Sequence, residues 1–192
     1  MSPLKQLRDW LTEERAAGIA FAHGGVLATT SSTSQPRSRM LGVHLTADGS
    51  LRFHTSPTTR KIEDLAHSPR ASFTLAFQRS LRSVSIEGVL AELNLQQLET
   101  DWKNLTAEFR RSYWVYGHKT GSLRNPGELE GDLSQLPLGA EDKMPSSFCG
   151  YEFRPLTRVA YYAVHAHLQF AQHQVFERSD DDADWSCRDL VP

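Results

Sequence analysis

The sequence predicts a mainly β protein, an antiparallel barrel flanked by helices. Three observations predict this class. About eight or nine short runs of strand-forming residues follow one another, polar turns separate many of them, and only three stretches have helical spacing. Because the chain has 192 residues and no visible linker or repeat, we expect one domain spanning residues 1–192.

Composition narrows the class of protein. The formal net charge is -2, from 21 basic and 23 acidic residues, which argues against a surface that coats nucleic acid. The longest apolar stretches are far shorter than a membrane span, and the amino terminus lacks the pattern of a signal peptide, so we expect a cytoplasmic protein with no membrane partner. Two cysteines, Cys149 and Cys187, make no disulfide framework.

The chain is predicted to begin with an amphipathic helix. Ser2 suits its N-cap, Pro3 its first position and Gly18 its end. The apolar residues between them recur three or four positions apart and therefore share one face. These residues are Leu4, Leu7, Trp10 and Leu11.

Strands then alternate with turns up to the middle of the chain. Ala47-Asp48-Gly49-Ser50 is a strong hairpin turn, and a short helix ending at His67 separates the third strand from the fourth. Gly88 lies inside a long strand and indicates a bulge or a bend. The predicted strands are Gly24–Thr30, Arg37–Thr46, Leu51–Thr55, Ala71–Phe77 and Ser83–Leu93.

The second half is predicted to hold one long helix, one long loop and the remaining strands. Helical spacing runs through Leu95–Tyr116, whereas Gly117–Asp142 has little periodicity and many glycines. Long irregular loops inside compact domains are often functional. The remaining predicted strands are Phe148–Arg154, Arg158–Val164, Leu168–Arg178 and Trp185–Leu190.

The residues after the third strand suit an anion. Thr58, Thr59, Arg60 and Lys61 stand at a predicted helix start, where free backbone N–H groups and the helix dipole favour negative charge. Two hydroxyls and two cations there match a terminal phosphate dianion. The alternative is an ordinary capped surface helix with solvated basic residues.

Two histidines near the carboxyl end have a spacing that metal ligands on a strand can have. His165 and His167 would share one face of a strand, but no nearby Cys, Asp or Glu completes a ligand set, so we expect no metal. Cys149 is expected to be a buried small residue and not a nucleophile.

An ordered set of motifs resembles the pyridoxamine 5′-phosphate oxidases from one end of the chain to the other. The matching stretches are Gln35–Met40, Leu51–Ser56, Thr59–Lys61, Ser68–Ser72, Arg82–Leu93 and Trp185–Pro192. The resemblance implies a homodimeric split β-barrel, the FMN-binding split barrel, with FMN in a cleft between the protomers.

The resemblance also implies which residues contact FMN. Arg60 and Lys61 would hold the phosphate, in agreement with the anion site inferred from the residues alone, and the segment from Lys119 to Ser122 would approach from the partner protomer. The implied contacts are Arg39, Met40, Leu41, Val43, His54, Thr55, Thr59, Arg60, Lys61, Ser83, Lys119, Thr120, Ser122, Tyr162 and His173.

The substrate side departs from the family pattern. His44 stands where the family has a lysine for the substrate phosphate, Asp101–Phe109 lacks the family's tyrosine, arginine and serine, and Leu168-Gln169-Phe170 replaces an arginine-x-histidine pair. Replacing an arginine with leucine removes a bidentate phosphate partner. The residues left as candidate substrate contacts are His44, Arg110, Arg111 and His167.

These observations predict an FMN-dependent oxidoreductase that acts on a substrate other than pyridoxamine or pyridoxine 5′-phosphate. No catalytic residue is assigned. One alternative is a genuine pyridoxamine 5′-phosphate oxidase with a rearranged phosphate clamp built from Arg110, Arg111 or His167. The other is a flavin-binding protein without turnover.

Overall fold

The structure is a computed structural model that describes residues 3–121, 134–164 and 171–192. Its main body is one antiparallel sheet of nine strands. The strands are β1 (Gly24–Thr30), β2 (Pro36–Gly42), β3 (His44–Leu45), β4 (Leu51–Thr55), β5 (Arg70–Phe77), β6 (Arg82–Glu92), β7 (Cys149–Ala163), β8 (Gln172–Glu177) and β9 (Ser186–Leu190).

The sheet runs in the order β2-β1-β5-β6-β7-β4-β3, and it branches at β7. One end of β7 pairs with β4, the other end pairs with β8, and β9 pairs with β8. The sheet curls enough to bring β2, at one edge, close to β4 near the other. This is the split-barrel architecture expected from the sequence.

Four helices flank the sheet in the described ranges, together with a 3-10 turn at Ala140–Asp142. The helices are α1 (Leu4–Ala16), α2 (Arg60–His67), α3 (Leu95–Asn104) and α4 (Ala107–Tyr116). Among these residues, no helix combines the length and the apolar character that crossing a membrane requires.

Helix α1 packs on the sheet through the face that the sequence predicts. Its four predicted apolar residues are all buried. The hydroxyl of Tyr161, on β7, donates to the carbonyl of Pro3 at 2.6 Å and accepts from the backbone N–H of Leu7 at 3.0 Å. Because both groups lie at the start of α1, this hydroxyl fixes the helix on the core, which includes Phe53 and Phe73.

Two predicted strand boundaries were wrong. The predicted strand Arg37–Thr46 is two strands, β2 and β3, with Val43 between them, and the Val43 N–H donates to the His23 carbonyl at 3.0 Å. The two strands predicted within residues 148–164 are one strand, β7, because successive neighbours pair along its whole length. The bulge expected at Gly88 is confirmed by register shifts on both sides of it.

The predicted helix Leu95–Tyr116 is two helices, which makes four in place of the expected three. Leu105 is extended, and the Thr106 hydroxyl accepts from the backbone N–H of Phe109 at 3.3 Å, so Thr106 is the N-cap of a new helix. Because the apolar spacing continues across this break, the sequence pattern did not reveal it.

Two predictions fall partly outside the described residues. Residues 122–133 of the predicted loop Gly117–Asp142 lie outside the described residues. The described part of the predicted strand Leu168–Arg178 contains β8. The final predicted strand is confirmed as β9, which pairs with β8 across the acidic turn.

Candidate functional site

The residues Thr55–Lys61, called here the anion loop, connect β4 to α2. Strand β4 ends at Thr55, and Thr59 is the N-cap residue of α2. The Thr59 hydroxyl donates to the Ser56 carbonyl at 3.0 Å and makes no capping bond to the helix. The first N–H groups of α2 therefore keep their capacity to bind an anion.

Two cations stand at this helix start without an acidic partner. Lys61 Nζ donates to the hydroxyls of Thr55 at 2.7 Å and Thr59 at 3.1 Å. Within the described ranges, neither Arg60 nor Lys61 forms an ion pair with a carboxylate. Burial and the nearby charge of Arg39 lower the pKa of Lys61. An anion bound here would offset that repulsion, so the loop suits a phosphate.

Asp64 holds Arg39, one of the implied FMN contacts, beside the anion loop. Its carboxylate accepts from Arg39 Nη2 at 3.3 Å, from Arg37 Nη1 at 2.7 Å and from the Thr29 hydroxyl at 2.7 Å. Burial favours a higher pKa for Asp64, but these hydrogen bonds and positive charges outweigh it and lower the pKa. Asp64 is thus a buried carboxylate that joins β1, β2 and α2.

Sequence reasoning missed the role of Asp64. A signal was present, because Arg37 and Arg39 are two positions apart and so share one face of a strand. Two cations on one face favour a carboxylate nearby. Asp64 is such a carboxylate, in the helix that begins at Arg60.

Thr120 lies next to the anion loop of its own chain. Its hydroxyl donates to Ser56 Oγ at 3.4 Å, and its carbonyl accepts from the Thr58 hydroxyl at 3.4 Å. The expected approach of Lys119–Ser122 to the cofactor from a partner protomer stays a prediction. Ser122 lies outside the described residues, and Lys119 is exposed.

Three other predicted FMN contacts form a separate row on the sheet. Ser83, Tyr162 and His173 are successive register partners on β6, β7 and β8, and the rings of Tyr162 and His173 lie 6.1 Å apart. Among the hydrogen bonds, ion pairs and ring contacts of the described ranges, none connects this row to the anion loop. Met40, on β2, is 67% exposed.

A cavity of about 650 Å³ lies between the end of β2 and helices α3 and α4, and its lining includes His54, the residue that precedes the anion loop. Four residues that the sequence singled out line it: Leu41, Val43, His44 and His54. The other lining residues are Arg15, Phe21, His23, Gly42, Asp101, Asn104, Leu105, Thr106, Phe109 and Tyr113.

One end of the cavity is polar and carries a buried carboxylate. His54 Nε2 lies 3.0 Å from Asp101 Oδ2, and Arg52 Nη1 lies 3.4 Å from Asp101 Oδ1. Burial favours a higher pKa for Asp101, but the His54 hydrogen bond and the charges of His54 and Arg52 outweigh it, so the pKa lies below its ordinary value. Asp101 is therefore ionised at neutral pH.

The other two histidines of the cavity are neutral at pH 7. Burial lowers the pKa of His44, although the charge of Asp101 acts in the opposite direction. Burial and the charge of Arg15 lower the pKa of His23. An imidazole titrates near 6.5 without such effects, so a lowered pKa leaves both rings uncharged. His23, Arg52 and Asp101 were not predicted, and no local pattern in the sequence identifies them.

The two arginines proposed for a rearranged phosphate clamp do not line this cavity. Arg111 Nη1 lies 3.1 Å from Glu141 Oε2, so that guanidinium faces the 3-10 turn. Arg110 has a buried Nε without a hydrogen-bond partner and is also not among the lining residues. The third candidate, His167, lies outside the described residues.

The described part of the chain contains no metal centre, and the thiol of Cys149 is not activated. No three His, Cys, Asp or Glu side chains converge there, and His165 and His167 are beyond it. The Cys149 thiol donates to the Thr55 carbonyl at 3.3 Å, and burial raises its pKa to about 11. Cys149 is therefore a thiol at neutral pH.

Curated proteins similar to this chain match most or nearly all of its length. The pyridoxine/pyridoxamine 5′-phosphate oxidase of Salinibacter ruber is 25% identical over 199 residues, which cover 99% of this chain and 89% of that protein. The protein of the same name from Cytophaga hutchinsonii is 25% identical over 158 residues, with 80% and 73% covered.

Solved structures share the fold. PhzG from Burkholderia lata, in complex with tetrahydrophenazine-1-carboxylic acid, matches with a TM-score of 0.84 at 21% identity and covers 100% of this chain and 93% of that one. A pyridoxamine 5′-phosphate oxidase-related, FMN binding protein from Nostoc punctiforme also has a TM-score of 0.84, at 18% identity, with 100% and 99% covered. The family model described as pyridoxamine 5′-phosphate oxidase matches residues 11–125, and the chain therefore belongs to that family.

Proposed function

We propose that the protein is an FMN-dependent oxidoreductase. The observation that carries this proposal is the anion loop, where Arg60, Lys61 and the start of α2 have no acidic partner in the described ranges. A phosphate dianion matches this set of donors in charge and in hydrogen-bonding capacity. Membership of the family and the FMN-binding description of the Nostoc protein support the same cofactor.

The residues around the anion loop fit FMN. Lys61, Arg60 and the hydroxyls of Thr55 and Thr59 would hold its phosphate. The cavity is lined by three implied FMN contacts, Leu41, Val43 and His54, so it would receive the flavin ring as well as the substrate. When FMN is bound, it supplies the capacity to take a hydride equivalent from a substrate and pass the electrons to an acceptor. The chain's part is to hold the phosphate, position the substrate and exclude water.

The substrate we propose lacks the phosphate of the vitamin B6 phosphates. The cavity has Asp101, an anion, at its polar end, and His44 there is neutral at pH 7. A phosphate dianion there would lie near this carboxylate, which Arg52 only partly offsets, and Arg15 is the only arginine or lysine among the described lining residues. A second candidate function is a true pyridoxine/pyridoxamine 5′-phosphate oxidase. The names of the relatives favour this function.

We also propose that the protein acts as a homodimer that shares FMN between two copies. Among the described residues, no hydrogen bond, ion pair or ring contact joins the anion loop to the row Ser83, Tyr162 and His173, and a second copy would bring such a row to the cofactor. Met40 and Val26 are register partners, 67% and 44% exposed, and provide apolar surface for that contact. We propose no nucleic-acid or membrane partner and a place in the cytoplasm.

Purification followed by anaerobic titration tests the proposal. We expect a yellow protein with one FMN per chain that is bleached when candidate reductants donate a hydride equivalent under anaerobic conditions. A colourless protein that does not take up added FMN would refute the cofactor. A yellow protein that no reductant among amines, alcohols and reduced heterocycles can bleach would identify a flavin carrier.

A further inference from the structure

Three basic residues that line the cavity are not among the implied FMN contacts. They are Arg15 in α1, His23 just before β1 and His44 in β3. Arg15 lies near both histidines, since its positive charge lowers the pKa of each, and His44 acts on His23 in the same way. Among the described residues, none of the three side chains has a hydrogen bond or an ion pair. Their donors are therefore available to a ligand.

Arg15 differs from the other arginine of α1. Arg8 donates to the carbonyl of Thr46 at 2.9 Å and so ties the helix to the sheet. Arg15 is exposed in the last turn of α1 and lines the cavity. The end of a helix favours a cation, but it gives a guanidinium no planar partner for its paired N–H groups. A carboxylate is such a partner and binds a guanidinium through two parallel hydrogen bonds.

Two glycines allow the rings of Phe21 and His23 to lie on the sheet at this wall of the cavity. Gly24 and Gly42 are register partners on β1 and β2. A Cβ on Gly24 would clash with the Phe21 ring, and a Cβ on Gly42 would lie 2.9 Å from Cδ2 of His23. The two rings meet edge to face, with centroids 4.8 Å apart. The wall beside Arg15 is therefore formed before any ligand binds.

The carboxylate of Asp101 does not occupy Arg15. Its two oxygens have Arg52 at 3.4 Å and His54 at 3.0 Å as partners. Arg15 is the only arginine or lysine among the described lining residues, so one cation without a carboxylate partner matches a ligand with a single negative charge. The second charge of a phosphate dianion would meet no further lysine or arginine there.

Aromatic side chains complete this part of the cavity. Phe21 and Phe109 are 44% and 58% exposed, although large apolar side chains are usually buried. Both line the cavity, whose volume of about 650 Å³ lies within the usual range for small-molecule sites. Aromatic walls favour planar rings through stacked and edge contacts.

We propose that the cavity binds an aromatic carboxylate as substrate, with the carboxylate between Arg15 and His23 and the ring against Phe21 and Phe109. Arg15 is the residue that determines specificity, because it supplies the charge. The inference rests on the proposed function, since it names the substrate class of that oxidoreductase. None of these four residues is an implied FMN contact, so the flavin keeps its own part of the lining.

The first measurement compares two probes of nearly equal shape, 2-naphthoate and its neutral amide, 2-naphthamide. Calorimetric titration of the FMN-loaded protein should show naphthoate binding at least about tenfold more tightly than naphthamide, the equivalent of one charge-assisted pair. Arg15→Gln should abolish this preference and leave naphthamide affinity unchanged, whereas Arg15→Lys should retain part of the preference. Equal affinity for the two probes in wild type, or an equal loss for both in Arg15→Gln, would overturn the proposal.

The matched control removes the same charge outside the cavity. Arg70, at the start of β5, is exposed and is not among the lining residues. Arg70→Gln should keep the wild-type preference for naphthoate. Loss of that preference in Arg70→Gln would show that net charge, and not Arg15, attracts the carboxylate.

The second measurement is the pH dependence of the same titrations. Burial and the charge of Arg15 lower the pKa of His23 and of His44. A bound carboxylate offsets the charge of Arg15 and raises both pKa values, so naphthoate affinity should increase from pH 8 to about pH 5.5 while naphthamide affinity stays constant. The other groups that act on His44 are Asp101, His54 and Arg52. Naphthoate affinity that is constant or falls on acidification would overturn the position beside His23.

FMN content separates this proposal from the proposed function. Arg15→Gln should fold and keep one FMN per chain, because Arg15 is exposed and anchors nothing in the described residues. Loss of FMN from this variant alone would show that Arg15 serves the flavin and would overturn the proposal. A wild-type protein that binds no FMN would refute the oxidoreductase, and the comparison of naphthoate with naphthamide would still test the carboxylate site.

Discussion

The guanidinium of Arg39 lies 3.3 Å from the carboxylate of Asp64, and this contact ties the edge strand β2 to the middle of helix α2. Arg37 binds the other oxygen of the same carboxylate at 2.7 Å. Asp64 is 1% exposed, so the relative position of β2 and the anion loop depends on one buried charge.

Removing that charge should destabilise the fold. We expect Asp64→Asn to lower the free energy of unfolding by about 2–3 kcal/mol, because two charge-assisted hydrogen bonds weaken and the partly exposed arginines recover only some hydration. Urea denaturation followed by circular dichroism measures the change. The control is Asp9→Asn, which removes an exposed pair with Lys5 and should change stability by less than about 0.5 kcal/mol. Equal effects of the two substitutions would show that Asp64 is not an anchor.

The contribution of Asp64 should also depend on pH with a definite sign. The pKa of Asp64 is lowered in the folded protein, so its stabilising effect is fully present above the unfolded pKa, about 3.9, and is lost as the pH falls through the folded pKa. The difference in free energy of unfolding between wild type and Asp64→Asn should therefore be constant from pH 7 to about pH 5 and shrink below about pH 4. A difference that grows on acidification would contradict the assignment.

The anion loop should dominate FMN affinity. The double substitution Arg60→Ala and Lys61→Ala removes two charge-assisted contacts of roughly 1.5–3 kcal/mol each, which corresponds to about two to four decades in Kd. Quenching of FMN fluorescence by the flavin-free protein gives the Kd. The control, Lys5→Ala with Lys103→Ala, removes the same charge from exposed positions on α1 and α3 and should preserve affinity. Stoichiometric FMN retained by the loop variant through gel filtration would defeat the phosphate assignment.

Local patterns in the sequence predicted most of the fold. Strands Gly24–Thr30 and Leu51–Thr55 have their predicted bounds, because a turn or a polar run ends each of them. The division of Leu95–Tyr116 was missed because apolar spacing persists through Thr106, and only the backbone at Leu105 reveals the break. Pairing partners, such as the branching of the sheet at β7, follow from contacts between distant segments and have no local pattern.

Some residues of the candidate site could be predicted from local sequence patterns and others could not. Arg60 and Lys61 were predictable because neighbours in sequence build the anion loop. The pair His54–Asp101 was not, since 47 residues separate the two and neither position is unusual by itself. His44 was singled out by comparison with a family pattern, but its neutral state depends on burial, which only the folded chain determines.

A charge on the exposed apolar part of the sheet should disrupt the proposed dimer. Met40 lies opposite Val26 on the edge pair β1–β2, and both are exposed in the single chain. We expect Met40→Asp to shift the protein from dimer to monomer and to weaken FMN binding, because burying a carboxylate in an apolar contact is costly. Multi-angle light scattering at micromolar concentration measures the mass. Exposed Leu138→Asp is the control and should remain dimeric. A flavin-loaded wild-type monomer would contradict the dimer itself.

Turnover of pyridoxine or pyridoxamine 5′-phosphate should be very poor. A substrate phosphate in the cavity would lie near the ionised Asp101, with a neutral His44 in place of the family's lysine and with Arg111 directed toward Glu141. Steady-state assays with both vitamers at saturating FMN measure the efficiency. A kcat/KM of roughly 10⁴ M⁻¹s⁻¹ or above would show that another phosphate clamp exists.

The same reasoning predicts which substitution strengthens the binding of pyridoxine 5′-phosphate. His44→Lys places a permanent cation at the polar end of the cavity, where it can bind a phosphate and offset the charge of Asp101. One such contact is worth roughly 1.5–3 kcal/mol, so the Kd of pyridoxine 5′-phosphate should fall about ten- to hundredfold. His67→Lys adds the same charge at an exposed position outside the cavity and should leave that Kd unchanged. If both variants bind the phosphate as wild type does, the charge at position 44 does not control which substrates enter, and the cavity is not the substrate site.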